Sequence, residues 1–139
     1  MSPSVYNEAI VKLHDNSFNY LNEKQEQIFD YENTSKEQAT QIIDSLGIKF
    51  DEYVKYLDKI QYPDKAADWH KSTTQLITYV KDSIIPLYSE TLKFEPESKD
   101  WYSLWKEVDK RTNGRANQLE NQMIKEQEKF ARAVNQRLR

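Results

Sequence analysis

The sequence predicts an all-α protein, an antiparallel up-down-up-down four-helix bundle with a long C-terminal helix that can kink. Three observations predict it. Apolar residues recur every three or four positions through four long segments, the period of a helix face rather than a strand. Only two glycines and four prolines interrupt 139 residues, too few for a turn-rich β fold. The punctuation that does occur leaves short connections, and short connections between long helices make antiparallel neighbours. The whole chain, residues 1–139, reads as one domain, large enough to bury roughly two-thirds of the surface its unfolded chain exposes. Nine Tyr, five Phe and three Trp supply large burial at few positions, which argues against disorder.

The first helix is expected to begin at Ser2 or Ser4, with Pro3 in the first turn, where its missing N–H costs nothing. Tyr6, Ile10, Leu13, Ser17, Leu21, Lys24, Ile28 and Tyr31 form its inner stripe, polar near the middle. In "YENTSKE", Thr34 and Glu37 match a T-x-x-E capping box that opens the second helix. That helix carries Ala39, Ile42, Ile43, Leu46, Phe50, Tyr53, Leu57 and Ile60 inward, and Gly47 does not break its phase.

"QYPD" ends it, and Asp64 is a suitable N-cap for the third. The inner positions expected there are Ala66, Trp69 or His70, Thr73, Ile77, Val80, Ile84, Leu87 and Phe94, with a kink near Asp82 to Ile85 because Pro86 removes a hydrogen bond. Ser98 can cap the fourth helix. Its inner face reads Trp101, Trp105, Val108, Thr112, Arg115, Leu119, Gln122 or Met123, Glu126, Phe130, Val134 and Arg137 or Leu138.

One stretch strains that reading. "DKRTNGRANQ", Asp109 to Gln118, has no large apolar side chain, and Asn113-Gly114 is a strong turn signal. The inner face nevertheless keeps one phase through Asn113-Gly114 without slipping, so one unbroken helix with a polar middle is favoured over a break. Lys24 and Arg115 would then face each other as a polar layer, paired with acids such as Glu23, Asp109 or Asp82, or holding an anion. The plainer alternative has Arg115 reaching outward to water.

Several function classes lose support. Absence of cysteine excludes thiol chemistry and disulfides. Neither His14 nor His70 has the Glu three residues earlier that a di-metal bundle uses, and no H-E-x-x-H or calcium loop is present, so no metal and no cofactor is expected. Two glycines leave no room for a phosphate loop or a G-x-S-x-G nucleophile turn, so enzyme activity is not expected. From Arg111 onward seven basic residues stand against three acids, yet the chain carries a net −3, so nucleic acid is not the expected partner. No window reaches the roughly 18 apolar residues that span a bilayer, and "MSPSVYNEAI" lacks the features of a signal peptide.

The surfaces that suggest recognition are aromatic. Trp101 and Trp105 in "WYSLW" share a face and, with Tyr88 and Phe94, either plug the bundle's end or form a platform there for a sugar, peptide or helix. Phe130, Val134 and Leu138 line one side of a C-terminal tail, Lys125 to Arg139, suited to pack on its own bundle or on a partner.

"VYNEAIVKLHDNSF" near the start and "EQEKFARAVNQRL" near the end resemble small helical surface lipoproteins of spirochaetes and related Gram-negative bacteria. The resemblance implies an exported domain of undefined activity, in the periplasm or on the outer surface, tethered by an N-terminal lipid on a removed upstream segment. The expected function is a non-enzymatic binding or structural module of the cell envelope with a protein partner. The alternatives are an intracellular helical adaptor or inhibitor, and a carrier of a small ligand or anion in the Lys24/Arg115 layer.

Overall fold

The computed structural model describes residues 1–137, and among them there is no strand. The first helix runs Pro3–Phe29 and the second Lys36–Lys59. The third comprises Ala67–Tyr79, a π turn Val80–Ile84 and Ile85–Thr91. The fourth and longest comprises Lys99–Arg111, a π turn Thr112–Ala116 and Asn117–Arg137. Each helix lies antiparallel to the next, and the ring closes because Tyr6 meets Phe130 at one end while Phe29 meets Trp101 at the other. This is the expected four-helix bundle, with one continuous core that includes Tyr6, Leu46, Phe50, Trp69, Leu76, Ile77 and Tyr88.

Local chemistry explains the helix starts. Ser2 accepts a bond from Val5 N–H, and Pro3 occupies the first turn. The second helix opens on Ser35 and Gln38, not on Thr34 and Glu37: Gln38 N–H donates to Ser35 Oγ at 3.1 Å, and Ser35 N–H donates to Gln38 Oε1 at 2.9 Å. A glutamine serves at the third position as well as a glutamate, so the box sits one residue further along. Asp64 does not cap the third helix with its side chain. A 3-10 turn, Asp64–Ala66, carries the chain from Pro63 into the helix instead.

Two π turns reset the helical phase. In the third helix, Ile85 N–H reaches back five residues to Val80 O, and Pro86 falls in the first turn of the Ile85–Thr91 segment, where no N–H is required of it. The expected kink is therefore taken up as one extra residue in the turn. Beyond it Tyr88 and Thr91 are buried, Leu87 is half-buried and Phe94 is exposed, so the inner face expected from spacing is displaced.

The fourth helix does the same at "TNGRA". It does not break, but it does slip: eight residues, not seven, separate the inward Val108 from the next inward residue, Ala116. Thr112 and Arg115, expected inside, are exposed, whereas Leu119, Met123, Glu126 and Phe130 are buried as their spacing predicts. The two π turns lie side by side. Arg111, just before the second, donates from Nη1 to Ser83 O in the first at 2.7 Å.

Buried hydroxyls are satisfied within their own helices, which is why they need no partner across the core. Ser17 Oγ donates to His14 O, Thr73 Oγ1 to Trp69 O and Thr91 Oγ1 to Tyr88 O.

Candidate functional site

The end of the bundle where the first and third helices finish is built from aromatic residues. After Thr91 the chain tightens through bonds from Lys93 N–H to Glu90 O and Phe94 N–H to Thr91 O, then turns at Glu97, whose φ of 70° is a left-handed conformation uncommon for a side chain of that size. Ser98 then caps the fourth helix, accepting from Trp101 N–H at 3.2 Å. That cap sets the helix phase so that Trp101 and Trp105 point beneath the turn.

Trp101 stacks on Phe29 at 5.3 Å and meets Tyr31 edge-on at 5.7 Å, while Trp105 meets Phe29 edge-on at 5.0 Å. A cavity of about 150 Å³ opens among Ile28, Tyr31, Ala39, Phe94, Pro96 and Trp101. Hydrogen bonding to the Glu97 carboxylate pushes the Tyr31 phenol up to about 12.

Trp101 and Trp105 are only 5% and 6% exposed, so they form the floor of this end rather than its face. Of the platform expected from spacing, Tyr88 is fully buried and Phe94 alone is exposed, at 39%. The rings that reach solvent beside it are Phe29 and Tyr102, each 47% exposed. Spacing did not single out Phe29, Tyr31 or Tyr102 as a surface. The available signal was that Phe29 and Tyr102 each sit one position off an apolar stripe, which turns an aromatic ring toward the rim.

The opposite end holds the other expected contact residues inside. Phe130 is 3% exposed and packs on Trp69 at 5.2 Å and Tyr6 at 6.1 Å, and Val134 is half-buried against the core. Leu138 and Arg139 lie outside the described residues. Beside this cluster His70 Nε2 is 2.9 Å from Leu57 O. A carbonyl can only accept, so Nε2 carries the proton and Nδ1 accepts from the Tyr6 hydroxyl at 2.8 Å. Leu57 is in the last turn of its helix, where carbonyls lack helical partners, so His70 satisfies an orphan. Burial lowers the His70 pKa, and Tyr62 covers the ring in a stack at 4.3 Å.

Lys24 and Arg115 do not share a layer. Lys24 lies in a groove between the first two helices with Tyr20, Gln27 and Gln41, its ammonium 5.5 Å from the Tyr20 ring. Arg115 lies in a separate groove between the third and fourth helices with Thr78, Asp82 and Ser83. The slip of one residue at the second π turn is the cause, since it moves Arg115 outward and Ala116 inward. The polar tie that does join the first and fourth helices is His14 Nε2 with Glu120 Oε1 at 3.0 Å.

Among the described residues no group of His, Cys, Asp or Glu side chains is placed to hold a metal ion, and no helix is long and apolar enough to cross a membrane. The Trp69 and Trp105 indole N–H groups are buried without a hydrogen-bond partner. No known protein family, curated protein or solved structure matches the chain.

Proposed function

We propose that this chain is a non-catalytic binding module that engages a protein partner through its aromatic end. The observation that carries the reading is the set of exposed rings at this end: Phe94 on the wall of a cavity that Trp101 also lines, and Phe29 and Tyr102 packed against Trp101. Water-exposed aromatic surface gathered at one place is costly to keep, and partner proteins commonly cover such patches. Both histidines support a structural rather than catalytic part, His70 tying Tyr6 to Leu57 and His14 tying the first helix to Glu120.

The setting we propose is the bacterial cell envelope, and its support is the resemblance of the two end segments to surface lipoproteins. An intracellular adaptor is the alternative. Fractionation of the full-length precursor separates them: a cysteine lipidation site upstream and membrane association support the envelope, and a precursor without either overturns it.

The binding reading is tested by placing a photo-crosslinking residue at Phe94 and, as control, at Ile48, an exposed apolar position on the second helix. Protein cross-links from Phe94 that disappear with Phe29→Ser support the proposal. Equal yields from both positions, unchanged by Phe29→Ser, overturn it.

A further inference from the structure

The aromatic end also carries a charge, and the charge narrows the partner. Residues 30–37 and 90–100 contain seven carboxylates against three lysines. Lys93 is already held by Glu90, with Nζ 2.9 Å from both carboxylate oxygens, so Lys36 and Lys99 are left to balance six acids. All six of those acids adjoin residues of the cavity wall in sequence: Asp30 and Glu32 either side of Tyr31, Glu37 beside Lys36, Glu95 between Phe94 and Pro96, Glu97 after Pro96, and Asp100 before Trp101. All six are exposed. The segments that build the cavity wall thus carry a net negative charge, with Lys36 the one cation among the lining residues.

Size narrows it further. A cavity near 150 Å³ is comparable to one that holds a single benzene, and falls short of the roughly 300 Å³ at which small-molecule sites begin. It suits one side chain.

Resting on the binding reading above, we propose that the occupant is a basic segment of a partner protein. It inserts one aromatic or branched aliphatic side chain between Phe94, Pro96 and Trp101, while flanking lysines or arginines meet the carboxylates of these segments. Charge complementarity of this kind mainly speeds encounter and rejects acidic competitors, and the buried anchor supplies most of the affinity.

The test is selection of random linear peptides displayed on phage against the immobilised protein, followed by anisotropy of the selected synthetic peptides. Binding is compared for the wild type, for Phe94→Ser and for Glu95→Gln/Asp100→Asn, with circular dichroism to verify that both variants fold. Glu97 is left unchanged because Tyr31 depends on it.

The expected peptides are net positive with one required apolar anchor. They weaken roughly tenfold on Phe94→Ser, the scale of one truncated anchor. They weaken several-fold on Glu95→Gln/Asp100→Asn and lose part of their salt dependence. Peptides that respond to Phe94→Ser but are neutral or acidic, and indifferent to the loss of Glu95 and Asp100, overturn the basic partner while leaving the aromatic end as a binding face. Self-association of the wild type through this face, competed by the peptides, overturns it in favour of a second copy. Failure of every peptide to respond to Phe94→Ser overturns this inference together with the binding reading.

Discussion

Gly114→Ala tests whether the fourth helix truly runs through its polar middle. Gly114 lies inside the second π turn with no positive φ, and a Cβ built there meets nothing within 4 Å. Alanine is favoured over glycine in a helix interior by about 1 kcal/mol, largely because it restricts the unfolded chain. With an unfolding entropy of about 2.1 cal/mol/K for each of the 139 residues, the whole chain gains about 0.3 kcal/mol/K, so 1 kcal/mol raises Tm by about 3 °C. Gly47→Ala in the second helix also meets nothing within 4 Å and serves as the reference for an ordinary helical site. The assay is thermal unfolding of both variants by circular dichroism. Parallel rises support a continuous helix. A Tm that rises for Gly47→Ala but falls for Gly114→Ala refutes it, because only a left-handed glycine, as in an Asn-Gly turn, penalises a Cβ in that way.

Four further outcomes are expected. Tyr88 Oη donates to Gln25 Oε1 at 2.9 Å beneath the core surface, so Tyr88→Phe lowers stability by about 1 kcal/mol in chemical denaturation. The folded state lowers the His70 pKa, so the unfolded chain takes up that proton first. The stability tied to neutral His70 is complete above about pH 6.5 and is lost as pH falls through the lowered folded value. Tm should therefore drop on acidification in the wild type by more than in His70→Gln, and equal pH slopes refute the assignment. Glu97→Gly relieves a left-handed residue, worth about 1 kcal/mol, and in an ultraviolet titration returns the Tyr31 phenol from about 12 toward about 10. Arg111→Ala leaves Ser83 O without its donor, costs about 1 kcal/mol, and should speed hydrogen exchange at the Val80–Ile84 turn more than at the second helix.

The aromatic end separates local from long-range information. Ser98 as a cap, the burial of Trp101 and the position of "KFEPESKD" as a connection were legible from residue types and spacing. Which rings face water was not. Phe29 shares a helix with an inward stripe and differs from Ile28 by a rotation of about 100°, so its exposure depends on where neighbouring helices end. Tyr31 is part of the wall, and the carboxylate that raises its phenol pKa belongs to Glu97, far away in the chain.

Helix number, order, direction and most of the core were determined by the sequence itself, because helical period, N-caps and short connections act between residues within one or two turns of each other. The capping box lies one residue from its T-x-x-E match for the same reason, since two overlapping matches differ only in local competition. Tertiary structure alone decided the phase through each π turn, while Leu119, Met123, Glu126 and Phe130 beyond the second lie inside as their spacing predicts. An extra residue in a helix turn is unfavourable in isolation and is kept where packing holds it, here with Arg111 bound to Ser83 O across the two turns. That one-residue slip put Tyr88 and Ala116 inside, turned Arg115 outward, and separated the two cations that spacing had placed together.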